Sequence, residues 1–162
     1  MISEDVWGNR NILSRVKAGQ AFALAVASAE DAHLAYDAVA ETELEVLFLD
    51  VRRILKVCPS TCAHHVRMIH NLLSELAERN LMLSEKLAHM GQRSTRAKLL
   101  SYFSSEAQRQ GKYEFEIPFS RQELADYLAV ERSGLSLEMS KLQREGLITY
   151  RKNRIALKLD PR

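Results

Sequence analysis

Side chains that could bind a metal or act as a nucleophile are concentrated in one segment, CPSTCAHH, at residues 58–65. Cys58, Cys62 and His65 offer three potential ligands in a Cys-x3-Cys-x2-His pattern. A structural zinc site or an iron–sulfur cluster needs four ligands, and the sequence has no other cysteine. We therefore predict no metal site and no cofactor, and interpret Cys62 as packed at the head of the helix that follows and Cys58 as an ordinary buried thiol. A metal site shared between two copies and a redox-sensitive thiol are the alternatives.

The same segment could hold a nucleophile and its base, because Cys62 and His65 lie three residues apart. No oxyanion or orienting motif accompanies them. The sequence also lacks a Gly-rich phosphate loop and an H-E-x-x-H motif. We predict that the protein is not an enzyme and has no catalytic residues.

Positive charge is concentrated in the last third of the chain. Residues 1–91 contain 9 Lys or Arg and 12 Asp or Glu, whereas residues 92–162 contain 14 and 9. The net charge of +2 therefore hides a basic C-terminal part. This asymmetry favours a nucleic-acid partner.

The composition is that of an ordinary globular protein, with 46% apolar residues in 162. No window approaches 18 uncharged apolar residues, so we expect no membrane partner. The first ten residues, MISEDVWGNR, lack the apolar segment of a secretory signal. These features predict a cytoplasmic protein.

The basic third carries the signals of a winged helix-turn-helix. Ser120 and Glu123 fit a capping box at the start of a helix, and Gly146 fits the end of the next one. The predicted elements are helices at Ser94–Ala107, Arg121–Leu128 and Arg132–Glu145, and strands at Tyr113–Pro118, Leu147–Arg151 and Arg154–Leu157. Two short helices joined by a tight turn form a helix-turn-helix, and the basic hairpin after them is suited to phosphate contact.

One long helix, from about Cys62 to Met90, precedes this unit. Its apolar residues are spaced by alternating steps of 3 and 4, which is the heptad pattern of a dimerisation helix. The predicted dimer interface is Val66, Ile69, Leu73, Leu76, Asn80, Leu83, Leu87 and Met90. A single Asn at an a position favours two parallel strands in one register. A single amphipathic helix packed within its own domain is the alternative.

Residues 1–57 are predicted to form short strands separated by loops. Strands are predicted at Ile12–Val16 and at the apolar run Leu44–Leu49, with a turn at Lys17–Gln20. A short helix capped by Asp50 follows.

The stretch IPFSRQELADYLAVERSGLSLEMSKLQREGLI, followed by a basic hairpin, resembles the C-terminal domain of the Crp/Fnr family of bacterial transcription regulators. RSTRAKLLSYF and the long helix are similar to that family's junction and dimerisation helix. GNRNILSRVKAGQAF and AETELEVLFLD resemble the end of its effector-binding β-roll. The resemblance implies double-stranded DNA as a partner, a homodimer, and RNA polymerase as a further candidate partner.

By this resemblance, the helix at Arg132–Glu145 enters the major groove. Arg132, Ser133, Ser136 and Leu137 fall where the family reads bases, and Arg132 could bind guanine in a bidentate manner. The implied phosphate contacts are Arg121, Gln122, Lys141, Arg151 and Lys152.

Three departures from the family stand out. Leu137 occupies a position where many relatives carry a base-contacting Arg; it can contact at most a thymine methyl, or it serves only in packing. Fewer residues precede the long helix than the family's β-roll usually takes, which suggests a shortened regulator or a fragment. Leu24 stands near the Glu expected in a cyclic-nucleotide cassette, and no Arg lies between Gly19 and Arg52. Cyclic-nucleotide binding is therefore not expected.

Together these features predict an α+β fold with a partial β-roll at 1–57, a dimerisation helix at 58–91 and a winged helix-turn-helix at 92–162. The expected function is a homodimeric, sequence-specific DNA-binding transcription regulator. The alternative is a shortened partner that does not bind DNA and modulates a full-length regulator by forming heterodimers with it.

Overall fold

The structure, a computed structural model, describes residues 1–29, 31–56 and 62–158. The chain forms two compact units, one from Met1 to Leu83 and one from Ser84 onward. In chain order the elements are β1 (Ile2–Glu4), β2 (Arg10–Ile12), α1 (Leu24–Ser28), α2 (Val51–Leu55), α3 (Ala63–Met90), α4 (Thr95–Gln110), β3 (Glu114–Glu116), α5 (Arg121–Leu128), α6 (Arg132–Arg144), β4 (Ile148–Arg151) and β5 (Arg154–Leu157). This mixture of helices and strands confirms the α+β prediction.

The first unit contains a small antiparallel sheet, in which β1 pairs with β2 and Ile2 lies opposite Ile12. The turn between the strands is held by Asp5, whose carboxylate accepts hydrogen bonds from the backbone N–H of Trp7 and Asn9, both at 2.9 Å. Hydrogen bonds from Asn9 also lower the pKa of Asp5, because they stabilise the charged carboxylate.

The predicted strand at Leu44–Leu49 is wrong. Residues 43–50 form neither helix nor strand, and Leu47 and Phe48 are 82% and 90% exposed. A strand needs a neighbour to satisfy its backbone groups, and an apolar run in the sequence does not provide one. The strand predicted at Ile12–Val16 is also displaced, since β2 ends where that prediction begins. The short helix after Asp50 is confirmed, and the Asp50 carboxylate accepts a hydrogen bond from the N–H of Arg53 at 3.2 Å.

The long helix is confirmed as α3, which ends one residue before Gly91. Its last two turns belong to the second unit. There Lys86 and His89 are buried, an unusual environment for both residue types. The Lys86 Nζ lies 4.8 Å from the centre of the Tyr127 ring, and His89 Nδ1 lies 2.8 Å from the Ser101 hydroxyl. These contacts attach the end of α3 to α4 and α5.

The second unit is a winged helix-turn-helix whose wing sheet has the order β3-β5-β4. Ser94 caps α4 by accepting a hydrogen bond from the N–H of Ala97. Ser120 and Glu123 form the predicted capping box on α5. The core contains fully buried apolar side chains from α4, α5, α6, β4 and β5: Leu99, Phe103, Leu124, Leu128, Leu135, Met139, Leu142, Ile148 and Ile155.

Candidate nucleic-acid interface

Helix α6 has one face in the core and the opposite face in solvent. Leu135, Met139 and Leu142 are fully buried. At 100° per residue, the positions opposite these three are Ser133, Leu137, Ser140 and Arg144. We call these four residues the outer ridge of α6. Such a ridge is the part of a helix that could enter a DNA groove.

The N-terminal half of α6 presents the side chains predicted to read bases. Arg132, Ser133, Ser136 and Leu137 are all exposed. The interpretation of Leu137 as a packing residue is therefore wrong, because 54% of its surface remains in solvent. The N-cap residue, Glu131, makes no side-chain capping hydrogen bond, so this side chain does not cap the backbone N–H groups at the start of α6.

The turn between α5 and α6 is fixed by a lysine that the sequence reasoning missed. Lys98 on α4 donates hydrogen bonds from Nζ to the carbonyls of Leu128 and Ala129, at 3.0 and 3.3 Å. A cation at the C-terminus of α5 satisfies carbonyls that have no partner within the helix and complements the helix dipole. Ala129 has a left-handed backbone, with φ of 50°. Lys98 lies about 30 residues from these carbonyls in sequence, so no local signal marks it.

A second contact orients α6 from its C-terminal end. The Arg96 guanidinium on α4 forms a bidentate ion pair with the Glu145 carboxylate, which follows the last residue of α6. This pair raises the pKa of Arg96 and lowers the pKa of Glu145, since each group stabilises the charged form of the other. Lys98 thus attaches the turn of the helix-turn-helix to α4, and Arg96 attaches its C-terminal end.

The wing presents positive charge at its tip. Arg151 and Lys152 are exposed, and Lys152 has a left-handed backbone with φ of 53°. Arg154 also belongs to the wing, but it pairs with Glu114 on the neighbouring strand at 2.7 Å. Arg151 and Lys152 are therefore better placed than Arg154 to contact a phosphate.

Arg121 has a structural role that the sequence does not reveal. Its Nη2 donates to the carbonyl of Lys152 at 2.8 Å, and its guanidinium lies 4.8 Å from the centre of the Tyr150 ring. Burial lowers the pKa of this guanidinium, and the nearby Tyr150 offsets part of that effect. The side chain thus joins the start of α5 to the wing tip. Its assignment as a phosphate contact stays a prediction.

Two further predicted phosphate contacts already bond to acidic neighbours on their own helices. Gln122 donates to the Asp126 carboxylate at 2.7 Å, and Lys141 pairs with Glu138 at 2.6 Å. Both side chains are accessible, so both assignments also stay predictions.

The heptad face of α3 is largely uncovered within the chain. Val66, Leu73, Leu83 and Leu87 are more than half exposed. Asn80 is also exposed, whereas Ile69, Leu76 and Met90 are partly covered. Four exposed apolar residues at heptad spacing are typical of a helix that pairs with another helix.

The described part of the chain, which leaves out residues 30, 57–61 and 159–162, contains no cluster of three or more His, Cys, Asp or Glu arranged to hold a metal. Cys58 lies outside the described residues, so its burial stays a prediction. Cys62 has a free thiol and is exposed, so the interpretation of Cys62 as packed at the head of α3 is wrong within the single chain. Within the same described ranges, no helix is long and apolar enough to cross a membrane.

Comparison with protein families places a known domain on the second unit. Residues 97–161 match the Crp-like helix-turn-helix domain. The transcriptional activator protein FnrL of Cereibacter sphaeroides is 28% identical over 137 residues, which cover 78% of this chain and 53% of FnrL. The chain thus spans about half the length of this relative.

Solved structures support the fold. A CRP-family transcriptional regulator from Thermus thermophilus matches with a TM-score of 0.65 and 23% identity, over 96% of this chain and 76% of its own. The c-di-GMP-responsive global regulator CLP of Xanthomonas campestris matches with a TM-score of 0.72 and 16% identity, over 98% and 79%. FixK2 from Bradyrhizobium japonicum matches 58% of this chain and 48% of its own, with a TM-score of 0.51 and 18% identity. At these identities the structures establish the fold alone.

Proposed function

We propose that the chain is a transcription regulator of the Crp/Fnr family and that it binds double-stranded DNA in a sequence-specific manner as a homodimer, a function that its match to the Crp-like helix-turn-helix domain favours. The observation that carries the proposal is the exposed N-terminal half of α6, which presents Arg132, Ser133 and Ser136 on a helix whose other face is fixed in the core. A helix held in this way can present side chains to base edges without losing its own packing.

The assignment of roles follows from side-chain chemistry. Arg132 carries a planar fork of donors that matches O6 and N7 of guanine, whereas Ser133 and Ser136 can bond to bases or phosphates. Arg151 and Lys152 at the wing tip supply charge for the phosphate backbone, which adds affinity without sequence information. The Crp-like domain at residues 97–161 favours this function over that of a partner that does not bind DNA.

The exposed heptad face of α3 supports the homodimer. A parallel pairing of two copies through Leu73, Asn80 and Leu87 would place two recognition helices in a symmetric arrangement. Such a dimer would read two half-sites about one helical turn apart. Bound at a promoter, it would act on transcription through RNA polymerase.

The test is a binding titration of the purified full chain on duplexes selected from a random library, repeated at several salt concentrations. We expect the binding constant to fall as salt rises, because phosphate contacts release counterions. Arg132→Ala should weaken binding to the selected duplex by about 1–3 kcal/mol and so narrow the difference from the affinity for random DNA.

Arg53→Ala is the matched control, because it removes the same charge from an exposed arginine in the first unit. It should leave the discrimination between selected and random DNA unchanged. Equal losses in the two variants would contradict the role of Arg132. The absence of salt-dependent binding to any duplex would contradict DNA binding itself.

A further inference from the structure

The outer ridge of α6 carries one apolar side chain, Leu137, at the place where a DNA-reading helix is most exposed. On the rest of the ridge, Ser133, Ser140 and Arg144 are polar. The Ser140 hydroxyl donates to the carbonyl of Ser136 at 2.9 Å, so it is already engaged within the helix. In the middle of α6, Leu137 is therefore the ridge residue whose side chain is left to contact a ligand. It can make that contact only through apolar atoms, because it cannot form a hydrogen bond.

The surroundings of Leu137 leave room for a close approach. Ser133 lies one turn earlier on the ridge and Ser136 lies beside it, and both side chains are small. The acidic neighbour Glu138 is held on the flank of the helix by its ion pair with Lys141. A base edge could thus reach the leucine without meeting an unpaired carboxylate.

The chemistry of the major groove limits what such a residue can recognise. Guanine and adenine present N7 and other polar atoms there, and a leucine would bury these without a partner. Thymine is the base that offers an apolar group, its C5 methyl. An exposed leucine on a reading helix therefore matches thymine and disfavours purines.

We propose that Leu137 is a specificity-determining residue that reads the C5 methyl of a thymine, so that each half-site has a thymine at the base pair facing the second turn of α6. This inference rests on the proposed function, because it requires α6 to lie in the major groove. The exposed leucine would then prefer thymine, a preference that an arginine at the same position would not have.

The test uses the full chain and the best duplex selected from a random library. This duplex is remade with deoxyuridine in place of thymine, one position at a time, because deoxyuridine lacks only the methyl group. We expect one substitution in each half-site to weaken binding about three- to fivefold, the effect of one buried methyl group. Cytosine at that position should bind more weakly than 5-methylcytosine.

Variants link this effect to the leucine. Leu137→Ala should bind the thymine and deoxyuridine duplexes equally, and Leu137→Arg should select guanine at the same position. Leu81→Ala is the matched control, because it truncates an exposed leucine on α3, and it should keep the full preference for thymine. Both positions are exposed, so the fold should be unaffected.

Two results would overturn the inference. In the first, the chain binds its selected duplex with the expected salt dependence, but no single deoxyuridine changes its affinity; the proposed function then stands and the role of Leu137 fails. In the second, Leu137→Ala keeps the preference for the methyl group, which assigns it to another residue. If no duplex is bound at all, the proposed function and this inference both fail.

Discussion

Replacing Leu73 with lysine should dissociate the proposed homodimer. Leu73 is 64% exposed in the single chain, and full burial of a leucine stabilises by about 1.5–3 kcal/mol. Burying the exposed two-thirds of this side chain in a helix pair would stabilise the dimer by about 1–2 kcal/mol per copy, and therefore by about 2–4 kcal/mol for the two copies. Leu73→Lys should raise the dimer dissociation constant by about 30- to 900-fold.

Leu81→Lys provides a matched control, because Leu81 lies on the same helix, is 67% exposed and does not belong to the heptad face. Sedimentation equilibrium over a dilution series measures both variants, and circular dichroism checks that both keep the helix content of the wild type. We expect Leu81→Lys to associate like the wild type. Equal dissociation of the two variants, or a wild type that is monomeric at every concentration, would refute the assignment of this face.

Two further predictions concern the second unit. Ala129→Gly should raise the free energy of unfolding by about 0.5–1 kcal/mol in a urea titration, because the left-handed backbone at this turn strains alanine and suits glycine; an unchanged or lower stability would show that the turn is not strained. Burial holds the pKa of His89 below 6.5, although Glu85 and Glu106 offset part of this shift. Because the unfolded chain then binds the proton more readily, stability should fall as the pH drops from 6.5 towards the lower folded-state pKa. His89→Gln should reduce this slope, and an identical slope in urea titrations would assign the pH dependence to other groups.

The elements of the winged helix-turn-helix are predictable from the sequence because their limits are set by local chemistry. Ser120 and Glu123 cap α5 within one turn, and Gly146 follows α6 with a φ of 76° that favours glycine. The heptad spacing of α3 likewise depends only on neighbouring turns of one helix. Each of these signals lies within a few residues of the feature it defines.

Features that depend on distant partners could not be predicted in the same way. The run Leu44–Leu49 has the composition of a strand, but pairing is decided by the neighbours available to it. The contact of Lys98 with the helix-turn-helix and the contact of Arg121 with the wing each join residues about 30 positions apart. In sequence, both side chains look like ordinary surface charges. The resemblance to the family identified α6 as the proposed reading helix but did not reveal the residues that hold it.

The end of α3 explains how pairing of two chains could orient the reading helices. Leu87 and Met90, the last two heptad residues, lie in the same compact unit as α6. On the same two turns of helix, Lys86 and His89 point into that unit and contact Tyr127 and Ser101. Pairing at Leu87 would therefore act on a segment that is already packed against α4 and α5. Because α4 holds the turn of the helix-turn-helix through Lys98 and its C-terminal end through Arg96, a change in the helix pair would reach α6 through packed side chains rather than through a linker.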